Sequence, residues 1–445
     1  MSGRRALFLI DGEHYPPVVL EAMERVCSSL GVEPVAAALL GGTEKIGEGA
    51  DYGLPLVFGE DPEDAVREAI VRYEVDVVVD LSDEPVVGYR ERMRIASRVL
   101  AAGARYVGSD FELRPPEFHP VFGKPSLAVI GTGKRIGKTA VTGYLARLLA
   151  REGFDPIVVS MGRGGPPRPE VIDGKRMEIG SDYLLEALRR GAHAASDCYE
   201  TAALSRVTTV GCRRCGGGLA GAPFVSNVIE GARVAAGLEG GLILFDGSGA
   251  ALPPVEVGAR VLVAGANQDP EYVTGFLGAY RLLVSEVLLI TMAEEPLASP
   301  ERVQRLRQEV RRVKPEIEVV PVVFRPRPAM DVRGVRLVYV STAPLKMLGR
   351  LAGFLEENYG CRVVAATGNL SNRRALERDL EDVRGAEAYL TEIKAAAVDV
   401  VVRRGLEEGV PVYYCDNEPV AEGLDRVLLD AAGRALRRFT GKKSG

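Results

Sequence analysis

The stretch Ser126-Leu-Ala-Val-Ile-Gly131-Thr132-Gly133-Lys134-Arg135-Ile136-Gly137-Lys138-Thr139 decides the fold. Its opening residues read as a buried strand and its glycines as a tight turn. Residues 140 to 151 then read as a helix with apolar positions at three- and four-residue spacing. Such a unit points successive backbone N–H groups inward at the positive end of the helix and makes a nest for anions. The backbone of Gly133, Lys134, Arg135, Ile136, Gly137, Lys138, Thr139 and Ala140 is therefore the expected cradle for nucleotide phosphates. Lys138 is placed to reach the outer phosphates, and the Thr139 hydroxyl to hold Mg²⁺.

The strict form of this loop has Gly at position 132, where the chain has Thr. The pattern Gly-Thr-x-x-x-x-Gly-Lys-Thr resembles the dethiobiotin synthetase branch of the P-loop enzymes, which implies a parallel-sheet NTPase domain of that type. A P-loop enzyme needs a carboxylate for its metal, usually at the end of a neighbouring strand. Leu242-Ile-Leu-Phe-Asp246-Gly-Ser-Gly249 supplies one, although Asp also caps helices well. The loop Met161-Gly-Arg163-Gly-Gly-Pro-Pro-Arg168-Pro-Glu170 combines close backbone approach at Gly with two Arg residues. Arg163 and Arg168 read as phosphate clamps and Glu170 as a metal or water ligand; for Arg168 a solvated Pro-rich loop competes. After the apolar run 261 to 264 comes Gly265-Ala-Asn267-Gln268-Asp269-Pro270. It lacks the Lys of the Asn-Lys-x-Asp element found in guanine-specific P-loop proteins, which favours ATP over GTP. Asn267 either meets the adenine or serves as a turn residue before Pro270.

Outward from the loop, short apolar runs alternate with helical patterns. Runs at 6 to 10, 32 to 40, 55 to 58 and 75 to 79 are separated by helical periodicity at 62 to 73 and 89 to 102. A second series lies at 126 to 130, 157 to 160, 242 to 245, 260 to 264 and 287 to 291. A third lies at 318 to 324, 336 to 340, 361 to 366 and 410 to 414. This alternation predicts an α/β fold of parallel strands with crossover helices. A Pro-rich connector puts a domain boundary near 122. Residues 1–122 are expected to form a Rossmann-like lobe on the substrate side, and 123–445 a P-loop ATP-binding domain with a carboxy-terminal α/β extension, sub-divided near 344. Residues 191 to 241, rich in Gly and Cys, read as an insertion.

With 47% hydrophobic residues, 445 residues suit two to three domains. The balance of 56 basic against 61 acidic residues, a charge of −5, excludes the broadly basic surface that suits nucleic acid or acidic membranes. A concentrated basic pocket is not excluded. Apolar runs are too short for a membrane span or a signal peptide, so a cytoplasmic location is expected. Six Cys are too sparse for a disulfide scaffold.

Cys212-Arg-Arg-Cys215 is half of a zinc pattern, with His193 and Cys198 upstream at the spacing of no standard finger. Zinc ligation, a redox pair and inert thiols all stay open. Arg213 and Arg214, between the thiols, are candidates to face an anionic substrate. Asp11-Gly-Glu13-His14 and Leu81-Ser-Asp83-Glu84, with Arg90 beyond, follow strands at places that line ligand crevices in open α/β sheets. Glu13, His14 and Arg90 join Arg168, Arg213, Arg214 and Lys394 as substrate-binding candidates. Capping and solvated surface charge are the competing readings.

Ile10-Asp-Gly-Glu-His-Tyr-Pro-Pro17, residues 131 to 139, Met161-Gly-Arg-Gly-Gly-Pro-Pro167, Gly211-Cys-Arg-Arg-Cys-Gly-Gly-Gly218 and Thr391-Glu-Ile-Lys394-Ala together resemble the cyclic 2,3-diphosphoglycerate synthetase family, nearly end to end. The resemblance implies an ATP- and Mg²⁺-dependent ligase, acting as a homodimer, that cyclises 2,3-diphosphoglycerate with release of ADP and phosphate. Such chemistry brings anions together, and two like charges about 4 Å apart repel by about 4 kcal/mol at an effective dielectric of 20. Lys134, Lys138 and Arg163 would offset that repulsion while Asp246 holds the metal, and these four are the catalytic candidates. A 2-phosphoglycerate kinase and a P-loop ATPase switch controlling partner binding are the alternatives.

Overall fold

The computed structural model describes residues 3–42, 51–59, 61–121, 123–177, 179–189, 197–393 and 397–443. Among them the strands gather into three sheets with helices between, a mixed α/β fold. Two compact units account for the contacts: residues 1–117 with 269–284 and 309–316, and residues 118–268 with 285–308 and 317–445.

The first unit holds a sheet of order β3-β2-β1-β4-β5-β6. Its strands are β1 (Arg4–Ile10), β2 (Val32–Leu39), β3 (Leu56–Val57), β4 (Val77–Asp80), β5 (Arg105–Val107) and β6 (Glu112–Leu113). β1 runs parallel to both β2 and β4. Ala6 to Ile10 and Val77 to Val79 are buried, as a parallel strand covered on both faces requires. The expected helices form at Pro62–Tyr73 and Tyr89–Ala101; the first is capped by Asp61, which accepts from Asp64 N at 2.9 Å.

The second unit carries the sheet that the phosphate loop belongs to. Its strands are β7 (Ser126–Gly131), β8 (Pro156–Gly162), β9 (Glu170–Asp173), β10 (Thr208–Cys215), β11 (Val225–Ser226), β12 (Leu242–Asp246), β13 (Ala259–Gly265), β14 (Val287–Thr291) and β15 (Glu318–Pro321). Their order is β11-β10-β8-β12-β7-β13-β14-β15, with β9 paired to β10. β7 is buried along its whole length between β12 and β13, both parallel to it. The helices Lys138–Arg151 and Leu424–Lys443 join Leu127, Val129, Leu244 and Val263 in one core.

Two expectations are corrected here. Residues 191 to 241 are not merely an insertion, because Thr208–Cys215 enters the sheet as β10, parallel to β8. The run 318 to 324 is two strands rather than one. β15 pairs with β14, whereas β16 (Val323–Pro328) pairs antiparallel with β20 in a third sheet. Pro321, with no N–H to donate, stands where the ladder ends. That third sheet has the order β16-β20-β19-β17-β18, with β17 (Arg336–Val340), β18 (Arg362–Thr367), β19 (Ala388–Thr391) and β20 (Val412–Val420).

Candidate functional site

The glycine turn after β7 folds as its sequence demands. Gly137 caps the helix Lys138–Arg151 with φ +84°, a conformation open to Gly, and a Cβ there would sit 2.1 Å from Phe324 Cζ. Lys138 is buried, and its Nζ donates to Gly133 O at 2.5 Å, so the ammonium lies folded over the loop. Register sets Asp246, at the end of β12, opposite Val129 of β7. Its carboxylate accepts from Thr139 Oγ1 at 3.2 Å and from Thr142 Oγ1 at 3.1 Å, all three residues being buried. Hydroxyl and carboxylate thus meet beside the lysine at one loop.

Two partners of the loop were not foreseen. Thr142 follows Thr139 by three residues on the same helix and holds the second oxygen of Asp246. Gln268 accepts through Oε1 from Thr132 Oγ1 at 2.6 Å and from Gly265 N at 2.9 Å. A Cβ on Gly133 would lie 2.9 Å from its Nε2. Gln268 therefore braces the loop, while its neighbour Asn267 is exposed.

Beyond Asp246 the chain turns at Gly249, with φ +62°. Arg163 from the end of β8 and Arg214 from β10 converge there. A Cβ on Gly249 would be 2.3 Å from Arg163 Nη2 and 3.2 Å from Arg214 Nη2. Arg214 donates to Gly216 O and Ser248 O, each at 2.7 Å, while its buried Nε has no hydrogen-bond partner among the described residues. Burial, and then the neighbouring charge of Arg163, push the Arg214 guanidinium below its usual range. Two cations facing each other form a place that favours an anion.

The other candidates are dispersed. Lys134 and Arg135 are exposed on the loop, Arg135 with φ +57°, and the Ile136 side chain belongs to the core, leaving its backbone toward the turn. Ala140 is half-buried in the first helical turn. Arg168 is exposed. Glu170 pairs with Gly211, Gly211 with Ser160, and Ser160 with Asp246. At about 4.8 Å per strand, Glu170 is roughly 14 Å from Asp246 between Cα atoms, too far to share an ion with Thr139. This corrects its assignment as a ligand of that metal. Arg213 and Arg214, adjacent in a strand, point to opposite faces, so Arg213 does not reach the Gly249 turn and stays exposed. Lys394 and His193 lie outside the described residues.

Cys212 and Cys215, three apart in β10, likewise point to opposite faces, so they cannot chelate one ion or pair with each other. Cys212 abuts Gly231, and burial, with Glu230 nearby, pushes its thiol up to about 12. Among the described residues no group of three or more His, Cys, Asp or Glu gathers into a metal cage.

In the first unit, Glu13 and His14 follow β1 as expected. Both depend on Asp11, which is fully buried and accepts from Glu13 N at 3.0 Å, His14 N at 3.2 Å and His14 Nδ1 at 2.7 Å. Its other oxygen takes Asp83 N at 2.7 Å. Arg90 is largely exposed, 4.0 Å from Glu271.

The glycine turn, the folded-over lysine and the Thr139–Asp246 pair define a P-loop nucleotide-binding domain inside a mixed α/β chain. Comparison with known proteins narrows the class. Three domain models of cyclic 2,3-diphosphoglycerate synthetase match: the N-terminal domain over residues 5–114, the P-loop domain over 126–323 and the C-terminal domain over 328–418. The cyclic 2,3-diphosphoglycerate synthetase of Rubrobacter xylanophilus is 74% identical over 439 residues, 99% of each chain. Those of Methanothermus fervidus and Thermococcus gammatolerans are 45% and 46% identical, each over 98% of both chains. The chain belongs to the cyclic 2,3-diphosphoglycerate synthetase family and is an enzyme of the ligase type. Among the described residues no helix is long and apolar enough to cross a membrane.

Proposed function

We propose that this enzyme uses ATP to close 2,3-diphosphoglycerate into its cyclic form, releasing ADP and phosphate. The observation that carries the reading is the convergence of Arg163 and Arg214 at Gly249, just past Asp246, where neither guanidinium has an acidic partner among the described residues. Together with Lys138 they supply positive charge around the transferring phosphoryl group and a doubly phosphorylated substrate. In the first step an oxygen of one substrate phosphate attacks the γ-phosphorus in line, and the bond to the ADP oxygen breaks. In the second, the other substrate phosphate attacks the phosphorus so activated. The ring's P–O–P bond forms and inorganic phosphate leaves with its electron pair.

The loop N–H groups and Lys138 bind the nucleotide phosphates, while Lys134, at the exposed rim, faces the developing charge. Thr139 Oγ1 and Asp246 Oδ2, a hydroxyl and a carboxylate oxygen 3.2 Å apart, are the hard oxygen donors that Mg²⁺ takes, so these two residues would hold it. When bound, that ion neutralises charge on the β- and γ-phosphates. Glu13, His14 and Arg90 belong to the amino-terminal unit, read as the substrate-side lobe. The order β3-β2-β1-β4-β5 supports a Rossmann-like assignment for it, and the loop pattern Gly131-Thr132 through Thr139 supports a dethiobiotin synthetase-like one for the P-loop sheet. A cytoplasmic homodimer completes the reading. The names carried by the relatives lend nothing to a kinase or a switch protein.

Phosphorus NMR of the enzyme with ATP, Mg²⁺ and 2,3-diphosphoglycerate tests the proposal. A cyclic pyrophosphate signal is expected, and Lys138→Ala should lower its rate of appearance by about a thousandfold. ATP turnover that ignores the substrate and yields no such signal would sink it.

A further inference from the structure

A cavity of about 820 Å³ opens in the second unit, away from the phosphate loop. Arg147 and Arg151 reach it from the helix Lys138–Arg151, Arg206 from the end of the helix Asp197–Ser205, and Arg327 from β16. Tyr413, Tyr414 and Glu418 of β20 also line it, as does Met330. Arg147 lies nine residues along its helix from Lys138, or about 14 Å at 1.5 Å per residue, so this cavity does not hold the nucleotide phosphates of the loop. Its size falls within the range of small-molecule sites, roughly 300–1,000 Å³.

The charges around it are unequal. Arg147 is paired with Asp416 at 2.6 Å, and Arg327 with Glu418 at 2.6 Å, which fixes both guanidinium groups in place. Arg151 has only a loose, exposed pair with Asp425 at 3.5 Å. Arg206 has no acidic partner among the described residues. Moreover Arg206 stands at φ +55°, just past the helix end, where Gly is the usual occupant. The chain keeps an arginine where backbone sterics favour glycine, and that arginine lines the cavity.

We propose that this cavity is a second anion site that takes a phosphate monoester on a small organic skeleton. Arg206 and Arg151 meet the phosphate, Arg147 and Arg327 frame it, and Tyr413 and Met330 cover the skeleton. The planar guanidinium fork can donate to two oxygens of one tetrahedral phosphate at once. Arg147 belongs to the helix that begins at Lys138, so the cavity and the phosphate loop share that helix.

The test uses the full-length Lys138→Ala chain, in which the phosphate loop has lost its ammonium, and two probes: AMP and 3-phosphoglycerate. Calorimetry should show about one equivalent bound of at least one probe. Binding of AMP alone identifies a nucleotide as the source, 3-phosphoglycerate alone a phosphorylated acid, and both together a site that reads the phosphate itself. Adding Arg206→Gly relieves the backbone, so the thermal midpoint should hold or rise while the Kd increases at least tenfold. Arg151→Ala, on an exposed helical face, should weaken binding at least threefold. If neither probe binds, or if both Arg variants leave Kd within twofold, the proposal falls.

Discussion

At the Gly249 turn, beyond Asp246, two guanidinium groups meet with no acidic partner among the described residues; at the ends of β1 and β4, carboxylates are ringed by donors. Arg163 and Arg214 share the Gly249 turn, and Arg214 spends its N–H groups on two carbonyls. Asp11, by contrast, gathers three backbone amides and His14 Nδ1. Asp80 takes Ser82 N at 2.9 Å, Arg92 Nε at 3.1 Å and Tyr106 OH at 2.5 Å. The tyrosine hydroxyl is pushed far up by its burial and then by Asp80. The acidic ends are saturated by the protein itself and hold loops in place. At the Gly249 turn the two guanidinium groups have no acidic partner among the described residues, and Arg214 meets only carbonyls. Charge at a strand end is therefore not enough to mark a site; what matters is whether the chain has already matched it.

Three substitutions would break or sharpen that contrast. Arg214→Met should cut kcat/KM for the phosphorylated substrate by about a hundredfold, the scale of losing one preorganised cationic contact. The thermal midpoint should stay level or rise, since burial and Arg163 both oppose the charge that is removed. Activity retained with a falling midpoint, read by phosphate release and thermal melts, would make the pair a structural feature like Asp11. Asp11→Asn should cost stability instead, about 2–3 kcal/mol in urea unfolding, the scale for a buried acceptor losing charge-assisted hydrogen bonds. An unmoved midpoint would show that the acidic end holds charge in reserve after all.

The smallest effect concerns the thiols beside Arg214. Iodoacetamide at pH 8 should label exposed Cys215 and spare buried Cys212, as peptide mass spectrometry would show. Burial pushes the Cys212 thiol up to about 12 when folded, against about 8.5 in an unfolded chain. Stability tied to its protonated form is therefore present below about pH 8.5 and is lost as pH rises toward 12, because the unfolded chain releases that proton first. Cys212→Ala should flatten the alkaline slope of stability; a slope unchanged by the substitution would count against the burial account.

Much of this arrangement is legible in the linear chain, and the illegible part has a common cause. β7, β12 and β13 announce themselves because strands buried on both faces are continuous apolar runs, and the Gly137-Lys138-Thr139 triplet has few other uses. β10 is hidden because Thr208-Thr-Val-Gly-Cys-Arg-Arg-Cys215 runs from the core out past the sheet, so it ends in charge where a strand pattern expects alternation. That hidden strand positions Arg214. It also shows why two cysteines spaced like zinc ligands are not a pair, since the spacing presumes a turn and the backbone is extended. β19 (Ala388–Thr391) is only four residues long and gives little pattern to read. Gln268 and Thr142 escape notice because their roles arise from which strands and helices become neighbours. Glu170 misleads for the same reason, since loop acids near an Arg-rich segment look interchangeable until register separates them.

The wall that Phe324 places against Gly137 has a consequence for how this enzyme can be taken apart. Phe324 belongs to β16, the first strand of the third sheet, and lies just past residue 323, where the P-loop domain match ends. A fragment cut at that boundary would keep every residue of the glycine turn yet lose the aromatic surface that closes over its cap. The phosphate loop is thus not a portable cassette. Its shape is completed by the next module along the chain, so the two would be inherited, engineered or exchanged as one piece.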